Sequence, residues 1–315
     1  MTGIGRAGPV LVAGSANIDF VVRVPHIPAP GETVLGGAFT MVPGGKGANQ
    51  AVAAARAGAA TSFLAALGDD PFAPVLTRSL EEAGVTLLAV ASDQPTGAAL
   101  ITVSDDAENA IAVAPGANAT LAPGDLPVLA DTAWLVMQLE TPLATVTAYA
   151  ASARQAGTAV LLNAAPAQPL PAMLLEQIDV LVANEEELAG IAAGKTIAER
   201  LAATGVRCAV VTLGGRGACA LVDGDHHCQP AFAVSPIDTT AAGDSFCGAL
   251  VAALAEGRGI DDTLRFAAAA GALATTQAGA QTSIPRRAEI DALLAERADD
   301  ATALAALRDY CGIAA

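Results

Sequence analysis

The chain has 315 residues, 53% of them hydrophobic, and a formal net charge of -16. That apolar content supports a sizeable core and excludes disorder over most of the length, while the acidic balance excludes nucleic acid or an acidic membrane surface as main partner, since both need a basic face. The odd count of five cysteines, with no C-x-x-C pair, and three histidines, two of them adjacent (His226, His227), point to neither a disulfide framework nor a zinc site.

From the N-terminus, Gly3, Gly5 and Gly8 spell G-x-G-x-x-G. The pattern precedes the first strand instead of following it, so Met1 to Pro9 is read as a loose terminus and not as a dinucleotide site. No basic stretch leads into an apolar one, and the apolar runs are broken by glycine, proline or polar residues. A soluble, cytoplasmic protein is expected. Val10 to Ala13 is a short buried strand that delivers Gly14 to Asp19 at its C-terminal end, where parallel α/β sheets place ligands. Phe20 to Val24 and Glu32 to Met41 are β-prone pieces around Pro25, Pro28 and Pro30, an excursion from the main sheet. Gly44 to Gln50 opens an alanine-rich helix reaching about Ala57. It lacks P-loop spacing, so Lys46 is not assigned to ATP phosphates by pattern.

A regular alternation follows. Strands are expected at Thr61 to Ala66, Thr86 to Ala91, Ala133 to Leu139, Ala159 to Asn163, Val180 to Ala183 and Cys208 to Thr212, with helices at Pro74 to Ala83 and Leu143 to Gln155 and a short helical link before Val180. A second β excursion covers Gly97 to Val103 and Asn109 to Ala114. Two more β segments (Ala218 to Val222, Ala231 to Val234) precede helices from Ala242, at Asp262 to Ala274 and at Arg286 to Glu296. Strands separated by helices predict a single α/β domain over 1–315: a central, mostly parallel sheet with helices on both faces. Residues 297–315 read as an appended helical tail without an assigned role. Asn118-Ala119-Thr120 fits a glycosylation acceptor pattern and, without a signal peptide, is read as chance.

Asp238 to Gly248 concentrates the chemistry. Its small residues run into a helix N-terminus, where unpaired N–H groups and the peptide dipoles favour an anion. Asp244 in the first turn is either an ordinary helix-start carboxylate or a base poised beside an anion hole. Asn17 with Asp19, Glu140, and Asn184 with Glu187 fall at the ends of separate strands, on one rim of the predicted sheet.

Gly14 to Asp19, Gly44 to Gln50, Met137 to Glu140, Asn163 to Ala167, Asn184 to Glu187, Thr212 to Gly217, Asp238 to Phe246 and Gly279 to Pro285 occur in the order of the PfkB-type, or ribokinase, family of carbohydrate and nucleoside kinases. The chain resembles that family from about Val10 to Glu296. The resemblance implies a ribokinase-like three-layer fold with a small β-sheet lid at about 20–42 and 97–114, and a homodimer formed through that lid. The implied activity is ATP-dependent phosphorylation of D-ribose at its 5-hydroxyl. Another sugar or nucleoside kinase (deoxyribose, fructose, a nucleoside), or a non-catalytic sugar-binding protein, is the alternative.

By the same resemblance, Asp244 is the base and Ala242, Gly243 and the Asp244 N–H form the anion hole. Asn17, Asp19, Gly45, Lys46, Asn49 and Glu140 join Asp244 in binding the sugar. Asn184, Thr212, Gly214 and Gly217 meet the nucleotide with Ala242 and Gly243. Mg²⁺ is implied at Asn184 and Glu187, and K⁺ at Asp238, Thr240, Ala274, Gln277, Gly279 and Ser283. Ala241 departs from the family's more common G-A-G-D.

Overall fold

The computed structural model describes residues 4–106, 108–298 and 300–313. Its first half runs β1 (Val10–Ala13), β2 (Asn17–Val24), β3 (Phe39–Gly44), α1 (Lys46–Arg56), β4 (Thr61–Gly68), α2 (Ala73–Glu82), β5 (Thr86–Ser92), β6 (Gly97–Ser104) and β7 (Asn109–Ala114). Next come β8 (Trp134–Met137), α3 (Leu143–Ala156), β9 (Ala159–Asn163), α4 (Ala172–Leu175), β10 (Val180–Asn184), α5 (Glu185–Ile191), α6 (Ile197–Ala203) and β11 (Cys208–Thr212). The chain closes with β12 (Gly217–Val222), β13 (Asp225–Pro230), α7 (Ala242–Ala255), α8 (Ile260–Ala274), α9 (Arg287–Glu296) and α10 (Ala301–Cys311).

A nine-stranded sheet has the order β13-β12-β11-β10-β9-β8-β1-β4-β5, antiparallel only at the β11–β12–β13 end. Its central strands are buried on both faces and so read as unbroken apolar runs. The two-residue period sends Val10 and Val12 to the layer built by α1, α7 and α8, and Leu11 and Ala13 to the layer built by α3 and α6. Each fully buried Leu or Val there contributes roughly 1.5–3 kcal/mol. A separate four-stranded sheet, β3-β2-β6-β7, stands off this body. Helices α1 and α7 touch almost backbone to backbone: a Cβ on Gly248 would lie 2.4 Å from the Ala53 Cβ and 2.7 Å from the Ala54 nitrogen.

Three expectations need correction. Strand β3 begins at Phe39, not near Glu32, and no strand covers Ala231 to Val234. The hairpin partner of β12 is the polar stretch Asp225–Pro230 instead, because Asp223 (φ 49°) and Gly224 (φ 97°) form a tight two-residue turn that fixes the register one step earlier. The N-terminal segment is not loose from Ile4 onward. Arg6 and Gly8 N–H groups donate to the Leu254 and Ala255 carbonyls, and the Trp134 indole donates to the Arg6 carbonyl. Gly3 lies outside the described residues.

The tail is docked too. Asp300 caps α10 through the Thr302 and Ala303 N–H groups, while Leu307 and Cys311 are buried against the sheet layer. Tyr310 stacks under the Arg216 guanidinium at 4.2 Å and donates to the Glu185 carboxylate. Among the described residues no helix is long and apolar enough to cross a membrane.

Candidate active site

Strand order reverses at β1. The chain continues from it to β4 and β5 on one side and later to β8 and the remaining strands on the other, leaving a crevice at the carboxyl ends of β1 and β8. Ser15, Asn17 and Asp19 enter this crevice from one strand end and Gln138 and Glu140 from the other. Gly45, at φ 89°, turns the chain into α1 with no room for a side chain, since a Cβ would sit 2.7 Å from the Asn17 nitrogen. The start of α1 is satisfied by neighbours. Glu140 Oε2 accepts from the Ser15 hydroxyl (2.5 Å) and from the Lys46 N–H (3.1 Å).

A chain of neutral amides holds Asp244. Asn49 Nδ2 donates to its Oδ2 and Gln50 Nε2 to its Oδ1, both at 3.0 Å, while Gln50 is bound by Gln138 (2.7 Å) and also donates to Asn163 (2.9 Å). Asn49 Oδ1 is buried and has no partner among the described residues, so it is available as an acceptor. A second amide, Asn118, is 1% exposed. It accepts from the Ala16 N–H (2.9 Å) and donates to Asn17 Oδ1 (2.7 Å), which turns the Asn17 NH₂ outward as a donor.

Asp19 is 7% exposed, and no hydrogen bond reaches its carboxylate among the described residues. Burial, and then the charges of Glu140 and Asp244, push its pKa up to about 7, with Lys46 pulling the other way. At Lys46 burial works against the charged form, but Asp244, Glu140 and Glu187 outweigh it and the ammonium is held above its ordinary range. It is therefore a fixed cation among carboxylates. This local cation, with the helix terminus beside it, suits an anionic ligand despite the acidic chain.

Ala241 takes the left-handed conformation (φ 59°, ψ 9°) to start α7, a region that glycine occupies without strain. The first intrahelical bond runs from the Ser245 N–H to the Ala241 carbonyl. Gly243 and Asp244 N–H groups have no partner among the described residues, whereas the Ala242 N–H is engaged with the Thr239 carbonyl at 3.2 Å. The expected three-donor hole therefore has two open donors here.

Two cavities meet at this helix end, sharing Thr212, Thr239 and Gly243. The larger, about 480 Å³, is lined mostly by small and apolar residues including Gly214, Gly217, Ala242 and Phe246. The smaller, about 220 Å³, is polar and holds Lys46, Asn184, Glu187 and Asp244. Asn184 and Glu187 form a reciprocal cap on α5, each backbone N–H bonded to the other's side chain at 2.8 Å. Burial leads in raising the Glu187 carboxyl, with the Asn184 N–H opposing it. Across the loop, Asp238 accepts from the Thr240 N–H and hydroxyl and from the Gly279 N–H, and these bonds keep it below its ordinary range against the opposing effect of burial. The Ile237 and Asp238 N–H groups both donate to the Thr275 carbonyl, and the Ser283 hydroxyl to the Ala280 carbonyl.

The structure thus brings Asn17, Asp19, Lys46, Asn49, Glu140 and Asp244 into one connected neighbourhood, and Thr212, Gly214, Gly217, Ala242 and Gly243 around the adjoining cavity. Sequence reasoning missed Ser15, Gln50, Asn118, Gln138 and Asn163. Gln50 was visible as a second amide beside Asn49 in an otherwise alanine-rich helix. Asn118, read as a chance glycosylation match, is buried in the fold and bonded to the site.

The family model for pfkB family carbohydrate kinases matches residues 9–287. A ribokinase of Haemophilus influenzae is 40% identical over 295 residues, covering 88% of this chain and 95% of that protein. Among solved structures, a ribokinase from Thermotoga maritima superposes with a TM-score of 0.85 at 35% identity, over 91% of this chain and 99% of that one. Arabidopsis thaliana ribokinase complexed with ribose and ATP gives 0.84 at 32% identity, over 92% and 99%.

Proposed function

This chain belongs to the PfkB family of carbohydrate kinases and is a ribokinase-type sugar kinase, and on that premise we propose that it transfers the γ-phosphoryl group of ATP to the 5-hydroxyl of D-ribose. The observation that carries the reading is the Asp244 carboxylate, held by two amides at a helix start whose next N–H groups are open, beside a cavity of about 480 Å³. A sugar hydroxyl placed against Asp244 gives up its proton as its oxygen attacks phosphorus. The Gly243 and Asp244 N–H groups and Lys46 meet the charge on the transferring group. Asp19, the Asn17 amide, Asn49 Oδ1, Glu140 and the Gly45 turn offer acceptors and donors to the remaining hydroxyls. The nucleotide lies along Thr212, Gly214, Gly217, Ala242 and Gly243 in the larger cavity.

Two sets of oxygen donors are available to the metal ions this activity implies. Among the described residues no group of three or more His, Cys, Asp or Glu side chains could enclose a metal. Mg²⁺ retains water and shares phosphate oxygens, so it needs few protein ligands. Asn184 and Glu187 would hold it, through water, and when bound it neutralises polyphosphate charge. Asp238, the Thr240, Ala274, Gln277 and Gly279 carbonyls and the Ser283 hydroxyl would supply an oxygen-only set for K⁺, which when bound would fix the loop that carries Asp244.

The four-stranded sheet acts as the lid. Its register puts Asp19 in one row with Val42, Ala99 and Val113, and Phe20 in a row on the other face with Met41 and Leu100. Leu100, Ile111 and Val113 are 58%, 55% and 47% exposed. Apolar strands left open at this size call for a partner, and a second copy through the lid gives a homodimer. Ile111→Asp is expected to turn a dimer into a monomer in light-scattering chromatography; a wild-type monomer would overturn the lid interface. The activity is tested by coupled ADP release over a panel of sugars and nucleosides, with and without K⁺. Preference for ribose supports the acceptor assignment, preference for a hexose or nucleoside moves it, and no turnover on any acceptor overturns the kinase mechanism.

A further inference from the structure

Cys219, Cys228 and Cys311 meet at the far end of the large sheet, outside the site above. Cys219 and Cys228 are directly opposed in the antiparallel β12–β13 ladder, with their sulfurs 3.1 Å apart. Opposed residues in such a ladder have Cα atoms roughly 4.5–5.5 Å apart, inside the span that a disulfide bridges. Cys311, the last residue of α10, is buried in the same cluster as Cys219, and Cys228 packs against that cluster. Cys219 and Cys311 are fully buried, whereas Cys228 on the edge strand is partly exposed.

The three sulfurs are not equivalent. Contact with the other two sulfurs lowers the Cys228 thiol and the Arg308 charge adds to that, whereas the same contacts and burial raise Cys219. A partly exposed thiol with a second thiol at bonding reach is the arrangement that two-electron oxidation selects. The other two cysteines lack it: burial pushes Cys208 up to about 12, and Cys247, fully buried beneath Asp244, is raised as well.

We propose that Cys228 is a hydroperoxide-reactive thiol that closes a reversible disulfide within this trio. The Cys228 sulfur attacks the peroxide oxygen, the O–O bond breaks, and the leaving oxygen departs with a proton as water (or as an alcohol from an organic hydroperoxide), giving a sulfenic acid. The neighbouring thiol of Cys219 or Cys311 then attacks that sulfur; an S–S bond forms, the S–O bond breaks, and a second oxygen leaves as water. Two thiols are oxidised by two electrons and one peroxide is reduced.

The test is to treat reduced full-length protein with hydrogen peroxide and measure intact mass without reductant. A loss of about 2 Da, reversed by dithiothreitol, is expected, with peptide mapping joining Cys228 to Cys219 or Cys311. A cyclic dione present during the reaction should label Cys228 in the wild-type chain, which keeps the test valid even if a variant folds poorly. Cys228→Ser should abolish the mass loss while circular dichroism and kinase turnover stay as in the wild type. No loss of mass at peroxide doses that preserve the circular dichroism spectrum, or a bond or label on Cys208 or Cys247, overturns the assignment.

Discussion

On the floor of the site Asp244 receives hydrogen bonds from Asn49 and Gln50, neutral amides on a helix that touches its own through alanine and glycine. On the small sheet Asp19 is buried beside like charges, with no donor to its carboxylate among the described residues. The floor is finished before any ligand arrives. The sheet is not, and its carboxylate lacks the donors that a polyol would bring. On the proposed reading, proton transfer belongs to the floor and acceptor recognition, with its sensitivity to pH, to the sheet.

The largest effect is expected for Asp244→Asn. Turnover should fall by at least about 10²-fold, with the sugar KM within a few-fold of wild type and the melting temperature little changed. A large rise in KM with kcat retained would move the base elsewhere. Asn118→Ala comes next. It leaves Asn17 Oδ1 and the Ala16 N–H without their partner, a cost on the order of 1–3 kcal/mol, so the sugar KM should rise about tenfold while kcat is largely kept.

Asp19 supplies the pH test. Its pKa in the folded chain, about 7, lies above the ordinary 3.8, so the folded chain holds the proton more tightly than the unfolded one. The ligand-free protein therefore loses stability through this group as pH rises from about 4 to about 7, and only the ionised carboxylate accepts from sugar hydroxyls at both of its oxygens. Sugar KM should fall as pH rises through about 7, by up to about tenfold per unit on the acid side. Asp19→Asn should weaken binding and flatten that slope; an unchanged slope would place the titration on another group. The smallest effect is expected at Ala241→Gly. Relief of the left-handed strain, partly offset by added freedom in the unfolded chain, should add at most about 1 kcal/mol and about 2 °C in thermal melting, with kcat within about twofold.

The same contrast governs what could be read from the sequence. Strands on the floor are buried on both faces and announce themselves as apolar runs: Val10 to Ala13 and Ala159 to Asn163 fall where periodicity puts them. The start of α7 and its aspartate were legible because the physics of a helix N-terminus is local. β3 was not, since its apolar residues are largely exposed and the stretch before it is equally β-prone. β13 was legible only as far as His226 and His227, which suit a loop or an edge strand; its residues are mostly polar and its place is set by pairing, for which the Asp223-Gly224 turn was the available signal. The amides Gln50, Asn118 and Gln138 come from three distant segments, and only the fold shows that they share one network. The tail carried a readable face in Leu304, Leu307 and Cys311, at helical spacing, but nothing in that spacing names the strand it covers.

The contact of α1 with α7 at Gly248 has a practical consequence for redesign. Surfaces made of alanine methyls and bare backbone have no rotamers to rearrange, so this joint cannot yield by small repacking the way a leucine-filled interface does. Widening it by one methyl at Gly248 must displace a helix, and Asn49, Gln50 and Asp244 travel with the helices. Laboratory evolution toward bulkier acceptors should therefore accumulate changes on the four-stranded sheet and leave the helix crossing untouched.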